Sequence, residues 1–329
     1  MRAWQVGRLG EPAEVMELAD VNGPVVQPGH VVVDVAAAAL NFPDVLMARG
    51  EYQVRPPLPF VPGVEVCGRV VEVGEGVSGV AVGDRVVGTS APPAGGLAER
   101  ALMPAAAVFP APKALDDAEA AALTIGYQTA YVGLVRRAGL RPGETLLVHA
   151  ASGGVGSAAV QVGKALGARV IAVVGGAEKV AVATGLGADV VLDRTAVDLV
   201  SALRDAAGRG GVDVVFDPVG GAAYEASTRV IAFEGRVVVV GFAGGTIPAP
   251  ALNHALIKNY SILGLHWNLY LQRERAVVEE AHRQLTAWAD EGRIAPLVSQ
   301  RLPFEQAVEG LTRLAQGRTT GRVVVLAPA

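Results

Sequence analysis

The stretch TLLVHAASGGVGSAAVQVGKALGARVIAVV, residues Thr145–Val174, decides the fold of this chain. It opens on a short apolar run, passes through a glycine-rich turn, continues with helical periodicity and closes on the apolar run RVIAVV. Short apolar runs bounded by turn signals are typical of buried strands, and longer periodic segments are typical of helices. The stretch therefore predicts a strand–turn–helix–strand unit with two parallel strands.

The same alternation continues along the chain. Further short apolar runs lie at Asp189–Leu192, Val212–Phe216, Gly235–Val240 and Ser261–Leu265, with helical patterns between them. Six such strands with intervening helices predict a doubly wound parallel sheet of the Rossmann type, covered by helices on both faces. We assign this α/β domain to residues 119–266.

The chain before residue 119 has a different pattern. Short β-type runs such as Val31–Ala37 and Val66–Gly74 alternate with turn signals at intervals of about 8–12 residues, which is typical of a small β barrel or sandwich. Pro104–Pro112 is interpreted as a linker, and Ala118–Arg137 as a long helix. The closing run GRVVVL, Gly321–Leu326, predicts a strand that needs a sheet to join.

We therefore expect a discontinuous β domain made of residues 1–118 and 267–329. The predicted fold class is α/β plus β.

Composition excludes several functional classes. No stretch approaches the roughly 18 consecutive apolar residues of a membrane helix, and a net charge of -4 gives no reason to expect nucleic-acid binding. The start of the chain has no apolar secretion-signal core. The only cysteine, Cys67, has no partner for an internal disulfide. We expect a cytoplasmic protein with no membrane or nucleic-acid partner.

The turn in the opening stretch carries a dinucleotide-binding fingerprint of the form A-x-G-x-x-G. Gly153 lets the backbone approach a pyrophosphate, and Gly156 lets the helix pack closely on the strand. The free N–H groups and the dipole at the helix start attract the anion. A glycine-rich turn without a ligand is the alternative, but strand, loop, helix and next strand all follow in order. The predicted cofactor contacts are Ala151, Ser152, Gly153, Gly154, Val155 and Gly156.

The end of the second strand favours NADPH over NADH. An NAD site needs a carboxylate there, whereas this chain has Gly175 and Gly176, followed by Lys179 and Arg194. An open pocket beside cations suits a 2′-phosphate. Two observations leave the choice open: Lys179 is alternatively an ordinary surface residue, and Glu178 opposes a phosphate unless its carboxylate points to solvent.

These features resemble the medium-chain dehydrogenase/reductase superfamily, and most closely its zinc-free quinone oxidoreductase branch. The resemblance spans essentially the whole chain. It implies a GroES-like catalytic β domain, NADPH as cofactor and a homodimer joined through the edge strand 261–265, with a tetramer left open. The segments that carry it are AALNFPDVLMARGEYQ (Ala38–Gln53), PPLPFVPGVEVCGRVVEVGEGV (Pro56–Val77), GVAVGDRV (Gly79–Val86), AALTIGYQTAYVGL (Ala121–Leu134), HAASGGVG (His149–Gly156) and TTGRVVV (Thr319–Val325).

One departure from the alcohol dehydrogenases of this superfamily is informative. Those enzymes hold a catalytic zinc with a Cys and a Gly-His-Glu motif, but here Asn41 and Val64 stand at the Cys and His positions. The residues that remain cannot supply three zinc ligands, so we predict no metal. A quinone or enone is already electron-poor and needs less Lewis-acid help than a simple ketone. Direct hydride transfer to such an acceptor is therefore favoured.

The resemblance also assigns catalytic candidates in the first domain and at the start of the second. Asn41 is assigned as an amide donor to the substrate oxygen, with an Asx-type cap before Phe42 as the alternative. Thr124 is assigned to the nicotinamide ribose or carboxamide. Tyr52 lines the cleft or simply packs, and Tyr127 contacts the nicotinamide or is a core aromatic.

Later residues complete the predicted site. Phe242 follows the fifth strand and is assigned to the cofactor. Arg318 and Arg322 are assigned to a cofactor phosphate, with ordinary surface positions as the alternative. Trp267 is alternatively a core residue. The predicted substrate-cleft residues are Phe42, Tyr52, His266 and Trp267.

The predicted function is NADPH-dependent reduction of a quinone. Reduction of an activated carbon–carbon double bond in an enone or enoyl thioester is one alternative, and a non-enzymatic NADPH-binding protein is another. A coenzyme A thioester would need basic residues in the first domain, and the absence of a basic cluster there favours small acceptors. No residue is assigned as proton donor.

Overall fold

A computed structural model describes residues 1–328, and within it the chain divides into two units. The first, here called the β unit, comprises Met1–Ile125 and the chain from His282 onward. The second, the α/β unit, comprises Gly126–Ala281. Both divisions fall inside helices, later in the chain than the predicted boundaries at 118 and 266.

The β unit is built largely from antiparallel strands rich in Val and Ala. The strands are β1 (Arg2–Val6), β2 (Met16–Asp20), β3 (His30–Ala39), β4 (Glu65–Val73), β5 (Arg85–Thr89), β6 (Arg100–Pro104), β7 (Val108–Pro110) and, late in the chain, β14 (Val298–Leu302) and β15 (Arg322–Leu326). The helices are α1 (Pro12–Val15), α2 (Phe42–Arg49), α3 (Asp117–Ala121) and α12 (Ala307–Ala315).

The larger sheet of this unit brings the two ends of the chain together. Its order is β14-β15-β3-β4-β5-β7, with β6 also paired to β3. Val324 of the last strand lies opposite Ala39 in an antiparallel pair, which confirms that the terminal strand joins the sheet of the first domain. The linker predicted at 104–112 is wrong, because β7 there pairs with β5 and buries Val108 and Phe109.

The α/β unit alternates strands and helices. Its strands are β8 (Thr145–Val148), β9 (Arg169–Val174), β10 (Val190–Asp193), β11 (Val212–Asp217), β12 (Ile231–Val239) and β13 (Ser261–Gly264). Its helices are α5 (Gly154–Ala165), α6 (Ala177–Gly185), α7 (Leu199–Ala207), α8 (Gly221–Val230), α9 (Leu252–Lys258) and α10 (Asn268–Arg273). Helices α4 (Thr124–Tyr131) and α11 (Arg275–Asp290) cross the two divisions, and α4 continues as a π-helix over Val132–Arg137.

The strand order β10-β9-β8-β11-β12-β13, with every pair parallel, is that of a doubly wound sheet. The predicted Rossmann-type fold is therefore confirmed. The order reverses between β8 and β11, and ligands of such sheets bind at the carboxyl ends of the strands beside that reversal. The apolar residues that predicted these strands form the core, as Leu147, Ile171 and Val215 are fully buried.

Among residues 1–328, no helix combines the length and the apolar character that crossing a membrane requires.

Candidate active site

The turn after β8 has a shape that requires glycine. Gly153 precedes α5, and its N–H donates to the Ala150 carbonyl at 2.9 Å. A Cβ at Gly156 would lie 2.1 Å from that same carbonyl oxygen, far inside contact distance, so the first turn of α5 packs directly on the loop backbone. This is the close approach that the fingerprint predicted.

The same turn leaves backbone donors available at the start of α5. The first N–H groups of a helix have no acceptor within the helix, and here they belong to half-exposed Gly154 and Val155. Ala151 and Ser152 are buried beneath them. With the positive end of the dipole of a twelve-residue helix, this is an anion site suited to a diphosphate.

His149, to which the sequence assigned no chemistry, anchors this turn. Its Nε2 lies 2.7 Å from the Ser227 hydroxyl, which itself donates to the Ala223 carbonyl. The imidazole must therefore donate through Nε2–H. Burial lowers the pKa of His149, so the ring is neutral and ties the end of β8 to α8. Nothing in the spacing of the histidines signalled this role.

The turn after β9 lies between a cation and a carboxylate. The Arg194 guanidinium lies against Gly175, so close that a Cβ there would be 2.9 Å from its Nη2. The Glu178 carboxylate is solvent-exposed but lies over Gly176, at 2.6 Å from the Cβ position, where it opposes a phosphate. Lys179 is half-buried in the first turn of α6.

Asp193, the last residue of β10, holds the turn after β9 in place through hydrogen bonds. Its Oδ1 accepts hydrogen bonds from the N–H groups of Gly176 and Thr195, both at 2.9 Å. These bonds lower the pKa of Asp193, the one from Gly176 most strongly. The carboxylate is thus used to shape the loop around Gly176.

In the β unit, a buried carboxylate gathers three separate segments. Glu65, at the start of β4, is fully buried. Its Oε1 accepts the Ile125 N–H at 2.6 Å, and its Oε2 accepts a hydrogen bond from Asn41 Nδ2 at 3.0 Å. Oε2 also forms an ion pair with Arg322 of β15. The cluster of Asn41, Glu65, Ile125 and Arg322 is called the Glu65 cluster below.

The cluster changes the role predicted for Asn41. Its Nδ2 donates to the Ala39 carbonyl at 3.0 Å as well as to Glu65. Both neighbours are acceptors, which fixes the amide orientation and uses both N–H bonds. The geometry therefore does not support Asn41 as donor to a substrate oxygen. It places Asn41 at the start of α2 with its side chain committed to Glu65.

The position of Arg322 in this cluster differs from the one predicted from the sequence. The side chain is only 4% exposed and faces Glu65, so it is not the surface arginine or exposed phosphate ligand expected from the sequence. Two nearby polar atoms have no partner within the described chain: Arg322 Nε and the buried hydroxyl of Thr124. Thr124 directly precedes Ile125, the donor to Glu65. An unpartnered buried hydroxyl fits the ligand-binding role predicted for Thr124.

Asp44 of α2 is a second buried carboxylate near the Glu65 cluster. It is fully buried and accepts N–H groups from Asn41, Gly63 and Val64 at 2.9–3.1 Å. Burial raises the pKa of Asp44 to about 6, against the lowering effect of those three hydrogen bonds. Burial, followed by the charge of Asp44, also raises the pKa of half-buried Tyr52. Asp44 thus pins α2 to the turn that would carry the zinc-binding histidine in a zinc enzyme.

The remaining predicted residues have varied settings. Trp267 is buried, and its Nε1 donates to Gln128 Oε1 at 3.1 Å, as the core alternative expects. Tyr127 is also buried. Phe242 is 40% exposed and its ring lies against Gly220, so both stand at the carboxyl ends of β11 and β12. Phe42, His266 and Arg318 are exposed.

No group of three or more His, Cys, Asp or Glu side chains in the described chain has an arrangement that could hold a metal ion. Cys67 is buried, and burial raises the pKa of its thiol to about 12, so it stays protonated.

Comparisons with known proteins agree along the whole chain. Residues 27–113 match the family "Alcohol dehydrogenase GroES-like domain", and residues 154–285 match "Zinc-binding dehydrogenase". Quinone oxidoreductase-like protein 2 of Bos taurus is 38% identical over 98% of this chain and 93% of its own length. Human quinone oxidoreductase is 31% identical over 99% and 98%.

A solved structure gives the same picture. Escherichia coli quinone oxidoreductase, crystallised in complex with NADPH, has a TM-score of 0.90 to this chain at 30% identity. The match covers 99% of this chain and 100% of that one.

The buried Asp44 predicts an unusual pH dependence of stability. Because its pKa rises from 3.8 to about 6 on folding, the folded state binds the extra proton between these values, and stability falls as pH rises. The free energy of unfolding of the wild type, relative to that of Asp44→Asn, should fall by on the order of 3 kcal/mol from pH 4 to pH 7. Urea unfolding of both proteins across this range measures it.

Asp20→Asn, at an exposed carboxylate, is the matched control and should show no such trend. If the difference in unfolding free energy between the wild type and Asp44→Asn stays constant or grows with pH, the raised pKa of Asp44 is contradicted.

Proposed function

This chain belongs to the zinc-independent quinone oxidoreductase branch of the medium-chain dehydrogenase/reductase superfamily, and we propose that it catalyses hydride transfer from NADPH to a quinone or a similar conjugated carbonyl compound. The observation that carries the proposal is the packing of Gly156 on the Ala150 carbonyl, which opens the backbone of the turn to a diphosphate. When bound, NADPH supplies a hydride from C4 of its nicotinamide.

The residues of this chain suit that cofactor at several points. The N–H groups of Gly154 and Val155 hold the diphosphate, and the loop shape there is fixed by His149 and Ser227. The unpartnered Thr124 hydroxyl bonds the nicotinamide ribose or carboxamide. Phe242, at the carboxyl end of β12, contacts the nicotinamide side.

NADPH is proposed over NADH because of the cations near Gly175. Arg194 already lies over this turn, and Lys179 follows in α6. Glu178 opposes a phosphate from its position over Gly176. A second carboxylate, that of Asp193, is already bonded to the Gly176 N–H. We infer that the guanidinium and ammonium groups outweigh the Glu178 carboxylate, which rotates toward solvent when the 2′-phosphate is bound.

The acceptor is proposed from the chemistry that the β unit lacks. Asn41 and Val64 stand at the positions of two zinc ligands, and within residues 1–328 no group of three or more His, Cys, Asp or Glu could hold a metal to activate a simple ketone. Asn41 positions α2 through Glu65 instead of donating to substrate. Tyr52, which is half-buried and raised in pKa, keeps its hydroxyl proton at neutral pH and is the proposed donor to the acceptor oxygen.

A homodimer through β13 is also proposed. This strand lies at the edge of its sheet, and an unpaired edge is a template for another strand. The neighbouring helix α9 exposes large apolar side chains, with Leu252, Leu256 and Ile257 each more than 70% exposed. A second copy related by a twofold axis would pair β13 with itself and cover these side chains.

The cofactor preference has a direct test. Lys179→Ala and Arg194→Ala should each weaken NADPH binding about tenfold, the loss expected for a charged hydrogen bond, and leave NADH binding unchanged. Glu178→Gln should strengthen NADPH binding by removing a like charge. Fluorescence titration with both nucleotides measures these constants. Equal losses for NADPH and NADH would overturn the assignment of the 2′-phosphate.

The acceptor class is tested by steady-state oxidation of NADPH with 1,4-benzoquinone, 9,10-phenanthrenequinone and an enone. The quinones should turn over fastest, and dialysis against EDTA should not change the rates. Gly156→Ala, whose Cβ would meet the Ala150 carbonyl, is the background control. Turnover of the enone alone would indicate a carbon–carbon double-bond reductase. NADPH binding without turnover would indicate a non-enzymatic binding protein.

The dimer is tested by light scattering during size-exclusion chromatography. The double variant Leu256→Lys/Ile257→Lys should elute as a monomer at concentrations where the wild type is a dimer, since charges on this face disfavour burial. Leu18→Lys, at an exposed leucine of β2, should remain dimeric. A monomeric wild type, or a dimeric double variant, would contradict the proposed interface.

A further inference from the structure

A polar cavity lies at the opposite edge of the parallel sheet from the Ala150–Gly156 turn. It has a volume of about 260 Å³ and stands at the start of β11 and β12. A six-residue strand spans about 20 Å, so the two sites are separated by roughly the full width of the sheet. The lining residues are Arg204, Gly208–Gly211, Arg229 and Ile231–Phe233.

The cavity concentrates positive charge. Arg204, Arg209 and Arg229 all line it, and all three are exposed. The carboxylate of Asp198 interacts electrostatically with Arg204 and offsets part of this charge. Lys258 lies beside them, with its Nζ donating to the carbonyls of Thr228 and Arg229. Burial, and then the charges of Arg204 and Arg229, lower the pKa of Lys258, as expected for cations held close together.

The backbone around these side chains is open and glycine-rich. Gly208 and Gly211 have φ values of +67° and +75°, which form the turn that ends α7. No atom lies within 4 Å of a Cβ placed on Gly208 or Gly210, so a ligand has room against the backbone. The carboxyl end of α7 carries about half a negative charge, which three guanidinium groups exceed several-fold.

Phe233 adds an aromatic surface to the rim. Its side chain is 73% exposed although it lies within β12, next to Glu234 in the left-handed conformation. Guanidinium groups recognise phosphate oxygens in a bidentate way, and exposed aromatic rings stack on nucleobases. We propose that this cavity, lined by Arg204, Arg209, Arg229 and Phe233, is a second binding site, for a nucleoside polyphosphate.

The test is calorimetric titration of the whole protein with ATP, and separately with inorganic triphosphate, in low salt and with or without saturating NADPH. ATP should bind equally in both conditions. Arg204→Gln/Arg229→Gln should weaken ATP binding at least about tenfold through loss of charged hydrogen bonds. Arg141→Gln/Arg273→Gln, which removes the same charge from two other exposed arginines, should change it less than about twofold.

The variant Phe233→Ser distinguishes binding of a nucleoside polyphosphate from binding of phosphate groups alone. It should weaken ATP binding several-fold, by the loss of stacking, without changing triphosphate binding. Equal affinities for ATP and triphosphate, both unaffected by this variant, would overturn the nucleoside part of the proposal. Absence of binding, equal loss in the control variant, or displacement of ATP by NADPH would overturn the site itself. None of these results bears on hydride transfer, which is measured separately.

Discussion

The β unit depends on one buried ion pair. A fully buried carboxylate is tolerable only when it is paired and hydrogen-bonded, and Glu65 obtains its counterion from Arg322, distant in the sequence. The same carboxylate holds the amide of Asn41 and the N–H of Ile125. One charge pair therefore fixes the start of α2, the start of α4 and the last strand. Removing either partner alone would leave an uncompensated charge in the interior.

In the α/β unit, a few local contacts also fix the shape of several loops. The close packing of Gly156 on Ala150, the His149–Ser227 hydrogen bond and the Asp193 contacts to Gly176 all shape loops at the carboxyl ends of strands. Those loops carry the backbone donors and cations on which the proposed cofactor site depends. The strands of the sheet hold the ends of each loop, and these contacts fix the conformation of the loop between them.

Local pattern was enough to predict most of the α/β unit. Apolar runs bounded by glycine predicted all six strands of the parallel sheet, and the fingerprint predicted the turn at Gly156 because its packing is a local property of the chain. The Glu65 cluster was missed since its members lie far apart in sequence. Arg322 and Asn41 gave no sign of burial, and residues 104–112 were taken as a linker because Ala and Pro mask a strand whose stability comes from pairing with β5.

The separation of Glu65 and Arg322 by 257 positions in the sequence has a consequence for folding during synthesis. A ribosome releases the entire α/β unit, Gly126–Ala281, before it makes β15. Until Arg322 has been made, Glu65 lacks this counterion, and burying its carboxylate would leave an unpaired charge in the interior. The larger sheet of the β unit can therefore close around Glu65 only after the whole α/β unit has been translated.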